Sequence, residues 1–389
     1  MHRALSKLPN DEKLRMGGLP PLPDSYGDNA SATMYFEAQM TELWVRRQRE
    51  LADAQELLAD LPQILEERIA SIRSYLRRDD GITDGSDIVA VLDDLEYQLN
   101  DLDNARDFHT LGGWPLLVSL LSPRAHAALT AGGNETMTGT TTTTPEDVQS
   151  LAAWAIGTAV KNTAEFFPWA MERVGNDVSY DDENENAAPT TPVSLVLTAF
   201  RSSSHTALKL KSLYALGGLM RGNPLTYSHF LSLDGPSILL TEFLASVARE
   251  DWKMAGKIVS LVHDLVADVV LEGRTGGGEL LAVAFSGQDW CDAALELLRE
   301  SGGVSASVRE KGLMTLKIIG KECTGGRVAV EQFKRSFTEA TNRCRQDTET
   351  EEKGEGGDIC DGTQGEIIHE DVEEELLALV DEVMLVMRN

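Results

Sequence analysis

Three segments of this chain repeat one pattern: LEYQLNDLDN at 95–104, AWAIGTAVKN at 153–162 and YALGGLMRGN at 214–223. Each segment reads as an apolar helix that ends on an asparagine. FHTLGG at 108–113 follows the first segment and FLSLDG at 230–235 follows the third, and an apolar block comes after each. Asparagine and glycine tolerate the left-handed backbone conformation that commonly ends a helix. The sequence therefore predicts a unit of long helix, short helix, glycine turn and amphipathic helix.

The unit recurs often enough to predict an array. Its asparagines lie 58 residues (104 to 162) and 61 residues (162 to 223) apart, whereas armadillo and HEAT units have roughly 40–47 residues. Two runs without apolar periodicity, 131–145 and 176–191, explain the excess as loop insertions. A further helical block follows at 251–300, and strand patterns are nearly absent. We therefore expect an all-α fold, an armadillo-like helical repeat solenoid over 86–345.

The region before the array is predicted to contain a helical extension. Residues 1–33 are expected to be flexible, and apolar residues at steps of three and four predict an amphipathic helix over 34–79. Because Asp60 precedes Pro62 and could cap a new helix, two helices in series fit the pattern as well as one. The apolar stripe is expected to pack on the chain's own body, with a coiled-coil partner as the alternative.

The region after the array is strongly acidic. Residues 347–375 contain thirteen carboxylates and one lysine. Such a segment buries too little apolar area to offset its ordering entropy, so 346–370 is predicted to be a disordered loop. A last apolar pattern predicts a C-terminal helix over 371–389.

The net charge of the whole chain limits the kinds of molecule that it is expected to bind. Its 389 residues include 35 basic and 63 acidic side chains, a net charge of −28. Such a surface repels nucleic-acid phosphates and anionic lipids, and no run of eighteen apolar residues occurs, so we expect neither nucleic acid nor a membrane as partner. Residues 1–23 lack the apolar run of a secretory signal. The spacing of the four cysteines does not settle the redox compartment.

The residues that usually carry catalysis do not assemble into a motif. The glycines of 273–278 have no strand before them and no Lys-Ser/Thr after them, as a phosphate-binding loop requires. The histidines lack the four-residue spacing of a zinc site, and His263-Asp264 reads as a surface pair because no nucleophile motif accompanies it. Four tryptophans lie in apolar stripes and are predicted to be core residues: Trp154, Trp169, Trp252 and Trp290. We expect a binding protein without cofactor or metal, not an enzyme.

Several of these segments resemble a known family. The resemblance rests on DLEY at 94–97 with LDNA at 102–105, IGTAVKN at 156–162, KSLYAL at 211–216 and QDWC at 288–291. In these segments the chain is similar to the armadillo-type nucleotide exchange factors of the seventy-kilodalton heat-shock chaperones. The family has cytosolic members and a branch in the endoplasmic reticulum that serves the chaperone BiP. The resemblance implies a monomeric co-chaperone that clasps the chaperone's ATPase domain and promotes ADP release.

The resemblance also implies a compartment. DLEY, the Trp-Cys step of QDWC and the final helix favour the lumenal branch, so we expect the endoplasmic reticulum lumen and a BiP-like partner, with the cytoplasm as alternative. Sequons at Asn29 and Asn134 are possible glycosylation sites. A peptide or cargo adaptor is the competing function, although Thr158 and Gly218 stand where its asparagine ladder would require asparagine.

The partner-binding residues are expected from the same resemblance and from the repeated segments. They are Asn104, Ala105, Asn162, Lys211, Asn223 and Lys257. Ala105 and Lys257 are expected to be exposed, so that an arginine at 105 or a glutamate at 257 would block binding without unfolding the chain.

Overall fold

The computed structural model describes residues 29–77, 85–126, 143–174, 190–271, 278–299, 304–351 and 370–387. In these ranges the chain forms fifteen α helices. They are α1 (Asn29–Arg77), α2 (Gly85–Gln98), α3 (Leu102–Thr110), α4 (Gly113–Ser119), α5 (Pro145–Val160), α6 (Pro192–Ser202), α7 (Thr206–Met220), α8 (Tyr227–Ser232), α9 (Gly235–Ala248), α10 (Trp252–Leu271), α11 (Gly278–Phe285), α12 (Gln288–Glu296), α13 (Ala306–Ile319), α14 (Gly326–Glu351) and α15 (Glu370–Val386).

Short 3₁₀ helices complete the described structure: Pro123–His126, Ala164–Met171, Pro224–Thr226 and Gly320–Glu322. No β strand occurs within the described ranges, where Val174 and Thr190 form an isolated bridge. The prediction of an all-α helical repeat is confirmed. No single described helix is long and apolar enough to span a membrane; Pro224–Ser232 and Gly235–Ala248 meet that test only as a pair, which bends by 73°.

The chain divides into two compact units, residues 1–65 and 66–389. The described part of the first unit belongs to α1, which begins at Asn29 and continues through Pro62 as one helix. Of the two predicted alternatives, one continuous helix rather than two helices in series is therefore observed. Residues 41–50 are almost entirely exposed, with 66% of Trp44 accessible. The side chains of 51–60 lie outside the described residues.

The last turns of α1 belong to the second unit, where they are anchored by packing and by two polar contacts. Ile69 and Ile72, two members of the predicted stripe, are buried. Arg68 Nε donates to Asp94 Oδ2 at 2.8 Å. Tyr75 contacts the buried ring of His126 through an O···Nδ1 distance of 2.9 Å. The stripe therefore packs on the chain's own body at these positions.

One helix of each repeat contributes to a continuous row in the second unit. In this row each helix packs on the next, in the order α2, α5, α7, α10, α13 and α15. We call it the stacked row. The other helices cover it with large buried side chains, including Phe108, Trp114, Phe200, Tyr227, Phe230, Phe243 and Phe285. The apolar core therefore fixes the position of every helix in the row.

The approach of α5 to α7 is closest at two glycines. A Cβ atom on Gly157 would lie 2.6 Å from Tyr214 Cδ1, and one on Gly218 would lie 2.8 Å from the carbonyl oxygen of Gly157. Real Cβ atoms do not approach other atoms so closely. Glycine at both positions lets the two helices touch, which brings Thr158 on α5 and Tyr214 on α7 within 3.3 Å of each other.

The prediction that an asparagine in the left-handed conformation ends the long helix of each repeat is correct at one position and wrong at two. Asn162 follows α5 with a φ of 58°, in the left-handed region. Asn104 instead lies in the first turn of α3, which Asp101 caps by accepting from two backbone N–H groups. In the third repeat Gly222 adopts the left-handed conformation (φ 62°), and Asn223 is not left-handed (φ −109°).

The C-terminal helices form a separate core within the second unit, which we call the C-terminal cap. α13, α14 and α15 bury a common set of apolar side chains: Leu313, Leu316, Val330, Phe333, Phe337, Leu376, Val380 and Val383. A disulfide joins Cys291 on α12 to Cys323, with a Cα–Cα distance of 5.5 Å. Beside it, Thr324 donates its backbone N–H to Gln288 Oε1 at 2.9 Å. The bend between α13 and α14 is therefore tied to α12 by a covalent and a polar link.

The predicted segment boundaries shift at several places. α14 continues to Glu351, so the first six residues of the predicted 346–370 loop are helical, and 352–369 lie outside the described residues. α15 begins at Glu370, one residue earlier than predicted. Thr144 already caps α5, and the rest of the first predicted insertion, 131–142, is not described. The flexible segment predicted at 1–33 is described only from Asn29, which is helical.

Candidate partner-binding surface

A polar and aromatic patch lies where the first three helices of the stacked row meet. Its members come from α2, α5 and α7, and we call it the Trp154 patch: Glu96, Trp154, Thr158, Lys211 and Tyr214. Trp154 and Thr158 are four residues apart on α5, and Lys211 and Tyr214 are three apart on α7. Residues at these spacings share one face of a helix. The close contact of α5 with α7 therefore joins two short polar faces into one surface.

Hydrogen bonds centred on Thr158 connect the three helices. Thr158 Oγ1 donates to Glu96 Oε1 on α2 at 2.6 Å. Its proton is then committed, so the hydroxyl of Tyr214 on α7, 3.3 Å away, is the donor to Thr158 Oγ1. The Glu96 carboxylate is thereby held in a fixed position beside α5.

Lys211 covers the ring of Trp154. Its Nζ lies 2.9 Å from the ring centroid, the geometry of a cation–π contact. Burial lowers the pKa of the Lys211 ammonium, and the carboxylates of Glu96 and Asp93 oppose that effect. The two carboxylates therefore offset only part of the free-energy cost of removing water from the ammonium.

Aromatic surface is accessible in the patch and at the residue that follows Glu96. Trp154 is half-buried, and Tyr97, next to Glu96 in the sequence, is 77% exposed. Exposed tyrosine and tryptophan are enriched at the energetic centres of protein interfaces, because a ring buries a large area at little cost in side-chain entropy. The geometry of the patch therefore suits contact with another protein.

Comparison with known proteins agrees with the family that the sequence resembles. Residues 186–370 match the model of the SIL1/FES1/HPBP1 C-terminal domain. A protein described as Hsp70 nucleotide exchange factor FES1 from Mycosarcoma maydis is 27% identical over 154 residues, which are 39% of this chain and 30% of that protein. Nucleotide exchange factor SIL1 from Xenopus laevis is 23% identical over 283 residues, 70% of this chain and 53% of that protein. Over these regions the chain is similar to proteins of the SIL1/FES1 family.

The coverage of these matches differs along the chain. Of the three helices that form the Trp154 patch, α7 lies within the SIL1/FES1/HPBP1 domain match and α2 and α5 lie before it. The matched regions span about a third and about half of the two relatives' own lengths. The crystal structure of an engineered protein covers 81% of this chain, and this chain covers 96% of it, at 13% identity and a TM-score of 0.43.

Three of the residues predicted from the SIL1/FES1 resemblance have accessible side chains. Asn162 and Lys257 are exposed, and Lys211 is half-buried in the Trp154 patch. Lys257 lies near the start of α10, the next helix of the stacked row after α7. These positions are open to a partner along one row of helices.

Two of the predicted residues are corrected by the structure, because they are buried. Ala105 is 1% exposed, so the expectation that an arginine would be tolerated there is wrong. Asn223 is fully buried; its Nδ2 donates to the carbonyl oxygens of Phe167 at 3.1 Å and Leu219 at 2.9 Å. Its amide joins two parts of the chain and cannot reach a partner. Asn104 is half-buried, and its Nδ2 donates to the carbonyl oxygen of Gln98 at 3.1 Å.

The predicted burial of the tryptophans holds for one of the four. Trp290 is 4% exposed and packs against Phe285, with ring centroids 5.2 Å apart. Trp154, Trp169 and Trp252 are only half-buried. Trp169 is stacked between His109 at 4.2 Å and Phe166 at 4.0 Å, so both of its faces are filled. Trp154 differs because one face carries only Lys211.

His263 and Asp264, which were predicted to form a surface pair, contact a third residue, Arg221. His263 Nδ1 lies 3.1 Å from Asp264 Oδ1, and Arg221 Nε lies 2.7 Å from Asp264 Oδ2. Burial raises the pKa of Asp264, but the hydrogen bond from His263 and the charge of Arg221 outweigh it, and the net shift is downward. This cluster joins α7 to α10. Among the described residues, no group of three His, Cys, Asp or Glu side chains could hold a metal ion.

Proposed function

We propose that this chain is a nucleotide exchange factor that binds the ATPase domain of an Hsp70-type chaperone and promotes release of ADP. The Trp154 patch is the observation that carries the proposal, because it exposes aromatic rings and fixed charges on a rigid row of helices. Similarity to the SIL1/FES1 family supports the proposal, since both relatives are described as nucleotide exchange factors. The chain acts by binding and contributes no chemical step of its own.

The mechanism follows from differential affinity. A rigid surface that fits the chaperone better when its nucleotide cleft is open shifts the chaperone towards the open state. Linkage requires reciprocity: if this chain weakens ADP binding by a given factor, ADP weakens binding of this chain by the same factor. The stacked row is suited to this role because buried aromatic side chains hold each helix in place.

The first experiment measures release of labelled ADP from an Hsp70-type chaperone in the presence of the full chain. We expect faster release, and no ATP hydrolysis by the chain alone. A pull-down of the ATPase domain should be weaker with ADP than without nucleotide. Equal capture with and without ADP, together with an unchanged release rate, would contradict the proposal and favour a peptide or cargo adaptor.

We further propose that the chain works in the endoplasmic reticulum lumen on a BiP-like chaperone. The Cys291–Cys323 disulfide supports this compartment, since disulfides persist in oxidising environments and are rare in the cytosol. The SIL1 match covers 70% of this chain and the FES1 match 39%. The sequons at Asn29 and Asn134 belong to the same proposal; Asn29 is the first residue of α1 and Asn134 lies outside the described residues.

Two measurements test the compartment. Protein isolated from its source under thiol-blocking conditions should retain Cys291 and Cys323 as a disulfide by peptide mass spectrometry. Release of ADP should be faster from a lumenal chaperone than from a cytosolic one. Two blocked thiols together with a preference for the cytosolic chaperone would replace the lumenal proposal by the cytosolic one.

A further inference from the structure

The Trp154 ring is covered by a lysine of its own chain. Lys211 Nζ stands 2.9 Å from the ring centroid. Trp154 itself is only half-buried, so the site lies at the surface and is not part of a closed core. The contact therefore resembles the way in which an aromatic ring binds a cation from another molecule.

Two carboxylates near the ring offset part of the burial penalty on a positive charge. The carboxylates of Glu96 and Asp93 both act on the Lys211 ammonium. Glu96 is held in place by Thr158, whose Oγ1 donates to it at 2.6 Å. A ring face beside a fixed carboxylate is a suitable binding site for the side chain of lysine or arginine.

Lys211 is weakly held in this site. Burial lowers the pKa of its ammonium, the charges of Glu96 and Asp93 oppose that effect only in part, and the ion pairs of the described residues do not include Lys211. A long flexible side chain can move to solvent at little cost. The site can therefore exchange this internal lysine for a cation from outside.

We propose that Trp154 and Glu96 form a cation-binding subsite that Lys211 occupies in the free chain and that a lysine or arginine side chain of the partner occupies in the complex. The identity of the partner as the ATPase domain of a chaperone rests on the proposed function. The chemistry of the subsite does not, because it is set by residues of this chain alone. Lys211 then covers the ring until a basic side chain of the partner displaces it. The subsite is therefore specific for a lysine or arginine side chain.

The test uses the full chain and fluorescently labelled pentalysine at low ionic strength. Lys211→Ala uncovers the ring and should bind pentalysine about ten-fold more tightly than the unsubstituted chain. Lys161→Ala removes the same charge from the residue that follows α5, where Lys161 Nζ donates to Asn100 Oδ1 at 2.9 Å. It should change the affinity by no more than about two-fold. Equal tightening in both variants would overturn the proposal, because it would show a general charge effect.

A second substitution locates the binding site. Adding Trp154→Ala to Lys211→Ala should return pentalysine binding to the affinity of the unsubstituted chain. If that double variant fails to fold, as its melting curve would show, Glu96→Gln is added to Lys211→Ala instead. Its control is Asp87→Asn, an exposed carboxylate on the same helix. Tight binding that survives Trp154→Ala, or that falls equally with Glu96→Gln and Asp87→Asn, would overturn the proposal.

The result is separable from that of the exchange assay. Pentalysine binding requires neither chaperone nor nucleotide, so the subsite can fail while ADP release is retained, and the reverse also holds. With the ATPase domain, Lys211→Ala should tighten the complex if the partner's cation replaces Lys211. A weaker complex would mean that Lys211 itself contacts the partner, which would overturn the displacement proposed here.

Discussion

The Trp154 patch and the C-terminal cap are both built where helices of the stacked row meet, but different forces hold them. In the cap, α13, α14 and α15 bury a continuous apolar set, and a disulfide ties the cap to α12. In the patch, α2, α5 and α7 are joined by single hydrogen bonds and by a lysine on a half-buried ring. Substitutions in the cap should therefore change stability, and those in the patch should change binding.

The largest effect is expected in the cap. Replacing Cys291 and Cys323 by serine removes a link that closes a loop with a sequence separation of 32. The chain-entropy model gives a loss of about 3–4 kcal/mol in the free energy of unfolding for a loop of that size. Denaturant titration of the double variant and of the reduced unsubstituted chain should give the same value. A double variant as stable as the oxidised chain would show that apolar packing alone holds the cap.

Trp154→Ala should weaken binding more than it lowers the free energy of unfolding. Loss of the ring should weaken binding to the ATPase domain by about 2 kcal/mol, about thirty-fold, as for other aromatic residues at interface centres. Its half-buried position should limit the change in stability to about 1 kcal/mol. Calorimetric titration and a melting curve measure the two quantities. Lost stability with unchanged binding would make Trp154 a core residue.

Lys257→Glu should have a smaller effect in the same direction. Its exposed position predicts intact folding, and reversal of one charge at an interface should weaken the complex by about 1–2 kcal/mol, less so at high salt, which screens the new repulsion. Lys321→Glu is the matched control, because Lys321 is equally exposed but lies in the C-terminal cap. Equal weakening by both substitutions would indicate a general charge effect.

The smallest effect should come from pH and lie outside both regions. Burial lowers the pKa values of His126 and His229 below 6.5. His126 Nε2 donates to the carbonyl oxygen of Leu120 at 2.7 Å, so its Nδ1 accepts from Tyr75 as the neutral ring. This stability is fully present above pH 6.5 and is lost as pH falls from 6.5 through the folded pKa values.

Stability should fall on acidification, because each histidine must take up a proton that its buried position in the folded chain disfavours. Denaturant titrations between pH 7.5 and 5, with His126→Gln as the comparison, measure it. The substituted chain should be less stable at pH 7.5 but should lose less on acidification. An equal pH dependence of both chains would contradict a buried neutral His126.

The repeat could be predicted from sequence because helical periodicity and turn residues are local properties. The end of each repeat was harder to assign, since glycine and asparagine both tolerate the left-handed conformation. Gly222 adopts it in the third repeat, which leaves Asn223 free to turn inward. Nothing in the order GN distinguishes these two arrangements before the packing is known.

The candidate surface was predicted less completely than the fold. Lys211 was identified and lies in the patch, but Glu96 and Thr158 were missed as members because the contacts around Thr158 depend on the approach of Gly157 to Gly218. Ala105 was expected to be exposed, although the apolar step from 105 to Phe108 would have indicated a buried face of α3. Trp154 was assigned to the core because hydropathy does not show which apolar residues lie at the rim of a helix interface.

The central claim is that the Trp154 patch determines binding and the C-terminal cap determines stability. Release of ADP tests this claim most directly. The measurement compares three proteins at equal folded concentration and subsaturating amounts: the unsubstituted chain, Trp154→Ala and the Cys291→Ser/Cys323→Ser double variant. We predict that Trp154→Ala accelerates release from the chaperone about thirty-fold less than the unsubstituted chain, and that the double variant acts as the unsubstituted chain does. Full activity of Trp154→Ala, or lost activity of a folded double variant, would contradict the account.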